Sequence, residues 1–563
     1  MVIKRKKKHG HIYLEEYRSV RVDGKVKSIY IRSLGPEKPV AKTQRPKPML
    51  LDRLEHGPSH RAGDVTILLE LAHRLDFINI IDGICCGETD VEGPSPGKLL
   101  TVWAINRALD PASATRLERW VPSTDLPRLM GLSPADFTKD AFLSALDFVC
   151  YEDKDGGQIQ DFTPRIDDAI YREWRGKHPL QSGANETLAY DLTSVLFYGV
   201  SCPLAELGYN RNRIRRRQVN LALVVSRRGK FPLTHFVYEG SRNGVSTIKN
   251  LMARLVESSL EPGTLIWDRG NVSGEHVKIV VKAGWHLICG VPKTVKDARE
   301  IISKAEIHYS WDSLARSSKA GNIYVKRIHG RLYGEERNVV VYTNRGRGVR
   351  DGDARNEALA AIEEGLKALG GDAPVGDREL RGRVRKIIGE YGRFVDFRVR
   401  RKDRPRVAWR FRKREIRDAE RMDGKWVLLC TDPSLSGKDV VNTYLEKDFI
   451  EKVFRTLKTS EEIEPVRHRL ECRVRAYLFV CVLAYMLLAD LQHRLRMVSD
   501  RDDSWERADA LLQRLGRVER VDVRLGQQVK TWYLNVTQEV QRTLKKMGFQ
   551  NLLKETVEVD LKM

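Results

Sequence analysis

The run TLAYDLTSVLFYGV, residues 187–200, reads as a buried β-strand with one acid inside it. Leu192, Val195, Leu196 and Phe197 need cover from water, yet Asp191 stands among them. A carboxylate in such a run is costly unless it is paired or holds a cation. Two more β-rich runs follow, QVNLALVVS and FPLTHFVYEG, with short polar or Gly-containing connections, which predicts an antiparallel meander. VSTIKNLMARLVESS then has helical spacing, GTLIWD reads as a buried strand, SGEHVKIVVKAG as a helix ending at Gly284, and WHLICGV as another strand. Three strands, then helix, strand, helix, strand give an α/β chain with one central mixed sheet of five strands flanked by helices.

That order is ribonuclease-H-like, and in such an arrangement the first and fourth strands lie side by side. Asp268 closes the fourth, GTLIWD, at the carboxyl end, where α/β sheets usually place ligands. Turn chemistry in D-x-G is the plainer reading of Asp268. A third acid comes from TYLEKDFIEKVFRTLK, residues 443–458, read as one helix. At about 100° per residue, Tyr444, Lys447, Arg455 and Lys458 fall within roughly 40° of Glu451, so the five form a polar stripe. Phe449, Ile450, Val453 and Leu457 lie on the other side. An ordinary surface helix with i,i+4 salt bridges has the same pattern. If its apolar side packs across the sheet, Glu451 joins Asp191 and Asp268. Three converging carboxylates repel unless divalent cations neutralise them, which suits Mg²⁺ or Mn²⁺. Two such ions about 4 Å apart can drive in-line displacement at a phosphodiester.

The rest of the chain sets the context. It has 563 residues, 41% hydrophobic, and 99 Lys and Arg against 76 Asp and Glu, a formal net charge of +23. The length implies several domains. The charge implies a polyanionic partner, most simply nucleic acid. The eight cysteines show no C-x-x-C and no paired Cys/His spacing, so they read as reduced core residues rather than zinc ligands. The basic N-terminus leads into no apolar segment of a signal peptide, and KRKKK at 4–8 reads as a basic tail. The apolar run 476–489 is short for a bilayer span and reads as a buried helix. SLSGKD at 434–439 lacks the earlier glycine of a P-loop, so no nucleotide cofactor is expected.

The expected divisions are a small N-terminal β unit with a basic linker (1–48), a helical domain (49–180), the first part of the sheet domain (181–292), a large, partly β insertion domain (293–425), its second part (426–499) and a C-terminal segment (500–563). DNA docking and a purely structural role both stay open for the helical domain. Positive charge concentrates in RNRIRRR, with Arg211 and Arg213, and in 398–417, where Arg410 and Arg412 alternate with Trp409 and follow Phe397. Such interleaving suits backbone gripping and base stacking, although a solvated charged face has the same composition.

The residues resemble the DDE transposases of bacterial insertion sequences, in the group marked by Y-(2)-R-(3)-E-(6)-K. Here the motif stands as Tyr444, Lys447, Glu451 and Lys458, with Lys in place of Arg at 447. Lys lacks the planar, bidentate phosphate contact of Arg. ELGYNRNR, EGSRNG and IWDRG, the helix RHRLECRVRAYLFVCVLAYML and the N-terminal DGK and LG texture also resemble the family. The resemblance implies cleavage at the ends of an element and joining of 3′ hydroxyls to a target, with Asp191, Asp268 and Glu451 as the catalytic metal ligands. It implies contacts of Tyr444, Lys447 and Lys458 with terminal DNA, including a hairpin or a flipped base. It also implies a homodimer on DNA in a bacterial or archaeal cytoplasm, at the nucleoid, with no membrane. A nuclease or resolvase that only hydrolyses, and a non-catalytic DNA-binding relic, are the competing expectations.

Overall fold

The computed structural model describes all residues except 9–10, 23–24, 38–53, 88–92, 154–156, 211, 318–320, 370–375, 401–405, 500–506, 526–527 and 560–563. Most of the expected basic linker, the Asp and Gly of the N-terminal DGK and the start of the expected C-terminal segment lie outside the described residues. The chain forms two compact units. The smaller comprises Met1–Pro58, Val521–Trp532 and Glu555–Met563. It contains an antiparallel meander of strands Val2–Lys8, His11–Val22 and Lys25–Pro36. The stretch read as a basic tail is thus the first strand, its Lys8 and Lys6 ammoniums 3.1 and 3.7 Å from the Glu15 carboxylate.

The larger unit is built on a mixed sheet of ribonuclease-H-like order. Its strands are β1 (Thr187–Leu196), β2 (Arg217–Ser226), β3 (Pro232–Glu239), β4 (Thr264–Trp267), β5 (His286–Val291), β6 (Leu314–Arg316), β7 (Ile323–Leu332), β8 (Glu335–Asn344) and β9 (Lys425–Cys430). They lie in the order β3-β2-β1-β4-β5-β9-β8-β7-β6, and Glu206–Leu207 pairs with the start of β2 as the tenth strand. β4 runs parallel to both β1 and β5, and the other pairs are antiparallel. The five strands expected from sequence form one side of the sheet. β9, β8, β7 and β6 extend it, so the strands of the 293–425 interval continue the sheet instead of standing apart from it. What does pack on its own there is a pair of helices, Arg345–Ala368 and Asp377–Ile388, and the hairpin Val395–Arg400 with Arg406–Phe411. Ile362, Leu366, Val384, Ile388 and Val395 form their separate small core.

Helices α1 (Ile248–Glu257), α2 (Gly274–Lys282), α3 (Gly437–Glu446), α4 (Asp448–Thr459) and α5 (Glu471–Met497) complete the frame. α5 is long and apolar enough to cross a membrane by composition, but 89% of its most apolar stretch is buried inside the protein. It is the central core helix, against which Pro96–Leu109 packs, with Trp103 edge-on to Tyr477 at 6.3 Å. The helices between residues 63 and 177 share this core: one apolar cluster runs from Val65 through the sheet to α5. Buried polar contacts tie them in as well. Trp174 donates its indole N–H to Asp490 of α5 at 3.2 Å, and His235 of β3 lies 2.6 Å from Asp167. The helical region is therefore packed as a layer of the larger unit.

Close backbone approach fixes the loop between β1 and β2. Gln218 donates to the carbonyls of Tyr209 and Gly240, and Asn220 to those of Gly240 and Arg242. A Cβ on Gly240 would sit 2.0 Å from the Gln218 carbonyl oxygen and 2.6 Å from that of Glu206. Gly240→Ala is expected to destabilise the protein by about 2 kcal/mol or more. A urea melt checks this, and an unchanged midpoint would refute the close-approach account.

Candidate active site

Strand register creates the site. Ile266 pairs with Ala189 and Trp267 with Tyr190, so the next position puts Asp268 beside Asp191. Side chains alternate along a strand, which turns both acids to the face that carries Ala189 and Ile266. Asp268 is held by three donors. The Arg269 N–H and the Tyr444 hydroxyl donate to its Oδ1 at 2.7 and 3.1 Å, and the Lys447 ammonium lies 3.4 Å from its Oδ2. Burial pushes the Asp268 carboxyl up, but Lys447, the Arg269 N–H and Tyr444 outweigh it, and the group titrates below the ordinary aspartate range.

Asp191 behaves in the opposite way. Burial, aided by the charges of Asp268 and Glu451, pushes it up to about 6 against the Leu192 N–H and Lys447. The influence of both other acids on Asp191 means that the three carboxylates share one electrostatic neighbourhood. Lys447 opposes them from within it. Among the described residues, no three His, Cys, Asp or Glu side chains form a ready-made metal cluster. The donor chemistry nevertheless fits a hard divalent cation, because the acids are all oxygen donors and a cationic ammonium already lies 3.4 Å from Asp268 Oδ2.

The polar stripe of the sequence is not one helix. The ladder breaks at Lys447: its N–H bonds to the Tyr444 carbonyl at 3.2 Å, and the Ile450 N–H to the Lys447 carbonyl at 2.9 Å, both three residues back. The cause is two separate cores. Val440, Val441 and Tyr444 of α3 pack with Ile266, Ile288 and Leu428, whereas Phe449, Ile450, Val453, Phe454 and Leu457 of α4 join the main core. Tyr444 is consequently buried instead of lining an outer stripe. Gly290 makes room for it, since a Cβ there would lie 2.6 Å from the Tyr444 hydroxyl.

The other predicted residues separate. Lys458 donates to the Ser194 carbonyl of β1 and lies 3.4 Å from Glu464, so it clamps α4 onto the sheet. Arg455 is exposed on α4, and Arg213 is exposed with a left-handed φ of 53°. Arg211 lies outside the described residues. Arg410 and Arg412 are exposed and sit 3.2 and 3.9 Å from Asp396. Trp409 is half-buried on the inner face of its hairpin with Val407 and Phe411, against the small core, its ring 5.3 Å from that of Phe411. Strand alternation puts the arginines outside and the aromatics inside, where Trp409 packs against the small core with part of its ring exposed.

Sequence reasoning missed the wall beside Asp268. A cavity of about 280 Å³ is lined by Asp268, Arg269, Gly290, Tyr342, Trp426 and Tyr444 among others. Tyr342 and Trp426 stack there at 5.2 Å, with Lys293 Nζ 5.2 Å from the Trp426 ring. Only the lateral pairing of β8 with β9 brings these rings together, and no local motif marks it.

The sequence family described as Transposase DDE domain matches residues 183–487. Among solved structures, the chain resembles one described as "Cryo-EM structure of piggyBac transposase synaptic complex with hairpin DNA (SNHP)", at 11% identity, covering 89% of this chain and 88% of that chain with a TM-score of 0.39. No curated protein matches the chain.

The Asp191 shift has a stability consequence. Its carboxyl binds its proton more tightly folded, at about 6, than at the ordinary value of 3.8, so its share of stability is complete below that value and falls as pH rises through 6. In metal-free buffer, Asp191→Asn is expected to melt several degrees above wild type at pH 8 and level with it at pH 4. A wild-type protein that melts higher at pH 8 would contradict this.

Proposed function

The chain belongs to the transposase DDE domain family, and from that premise we propose that it cleaves DNA at the ends of an insertion sequence and joins the 3′ hydroxyls to a target. One observation carries the reading. Asp191 and Asp268 stand in adjacent register positions, Asp191 feels the charge of Glu451, and all three lie within the matched residues. Asp191, Asp268 and Glu451 would hold Mg²⁺ or Mn²⁺. Bound there, a pair of such ions supplies activation of the attacking hydroxyl and stabilisation of the leaving oxygen.

The chain's own groups do the rest. Tyr444 and the Arg269 N–H fix the Oδ1 side of Asp268 and leave its Oδ2 edge for a cation. The aromatic wall of Tyr342 and Trp426 offers a stacking surface for an unpaired base next to the cut. Arg455, Arg213, Arg410 and Arg412 present exposed charge to the DNA backbone, which makes binding steeply salt-dependent. Two ends have to be brought together, so the DNA-bound form is a homodimer, acting in the cytoplasm at the nucleoid.

The test is a cleavage and strand-transfer assay with Mg²⁺ or Mn²⁺ on DNA carrying the sequences that flank the coding region. Asp191→Ala, Asp268→Ala and Glu451→Ala are each expected to lower the rate by a factor on the order of a thousand or more while DNA binding persists. Cleavage without joining would instead identify a nuclease, and binding without metal-dependent chemistry in wild type a DNA-binding relic.

A further inference from the structure

The Lys447 ammonium is placed where a divalent cation would have to come. Asp268 Oδ1 already accepts from the Arg269 N–H and the Tyr444 hydroxyl, so Oδ2 is the atom left for a metal, and Lys447 Nζ is 3.4 Å from it. The lysine side chain is only 14% exposed, and its Nζ lies 5.3 Å from the Tyr444 ring centre. It therefore occupies an internal position between acids, unlike Arg455, which points to solvent. A metal on Oδ2, at about 2.0–2.1 Å for Mg²⁺, would stand within a few ångströms of Nζ. Two cations at that separation repel, in surroundings less screened than bulk water.

We propose that Lys447 is a built-in counter-ion that holds the cation position at Asp268 and must leave it before a divalent metal binds. This rests on the reading of Asp191, Asp268 and Glu451 as metal ligands. Lysine suits the task because its charge is a compact point on a flexible four-carbon stem, whereas arginine would grip the carboxylate with a planar fork. Its anchor point, the single turn residue between α3 and α4, lets the ammonium swing away without moving either helix. A DNA phosphate brought to the three acids would give it a new partner, so DNA and metal would each favour the binding of the other.

The experiment is a Mn²⁺ titration of the full-length, DNA-free protein, following free Mn²⁺ by electron paramagnetic resonance, with thermal melts in parallel. Lys447→Met keeps the stem and removes the charge; Lys447→Gln is a second variant in case the first fails to fold. The uncharged variant is expected to bind Mn²⁺ on the order of tenfold more tightly than wild type. It is also expected to melt lower than wild type without metal and to be stabilised more by added Mn²⁺. Adding Asp268→Asn should abolish the gain. Equal or weaker Mn²⁺ binding by the uncharged variants, or a gain that survives Asp268→Asn, overturns the counter-ion role and leaves the metal site standing. No Mn²⁺ binding by any of the proteins overturns the metal reading and this inference with it.

Discussion

The parallel pairing of β1 with β4 is the constraint from which the rest follows. It puts two aspartates next to each other on one face of a sheet whose surroundings are apolar. Two neighbouring carboxylates there cannot both ionise cheaply, and the protein answers asymmetrically. Asp268, at the strand end, is surrounded by donors and stays ionised, whereas Asp191, deeper in its strand, holds its proton up to about 6. The pair is thus prepared for positive charge.

The helices obey the same demand. A straight helix over 443–458 could serve one core or the other, not both. The break at Lys447 lets α3 seat Tyr444 over β4 and β5 while α4 buries its own apolar side in the main core and carries Glu451 toward the acids. Lys458 then fixes α4 to β1. Two of the basic and phenolic groups of the motif therefore build the site, and a third holds its frame.

Much of this was legible in the sequence. The strand and helix order gave the sheet domain, and the costly acid in β1 together with the strand-ending Asp268 marked the acid pair, because adjacency of the first and fourth strands follows from that order. Lys447 hid its break because its own dihedrals, φ −55° and ψ −16°, are helical, and a helical wheel cannot register a change of packing partner. The extension by β9, β8, β7 and β6 was illegible for another reason: periodicity reports a strand's faces, not its neighbours. For Trp409 the alternation was present in RVAWRF, but which face of that strand meets a core depends on the helices packed against it, and those lie elsewhere in the chain.

The most direct test of the central claim, that register-paired acids form a divalent-cation site, is anomalous diffraction from crystals of the protein grown with Mn²⁺. An anomalous peak held by both Asp191 and Asp268 is expected, with Lys447 moved off Asp268. A protein that shows metal-dependent DNA cleavage yet binds its Mn²⁺ away from this pair would contradict it.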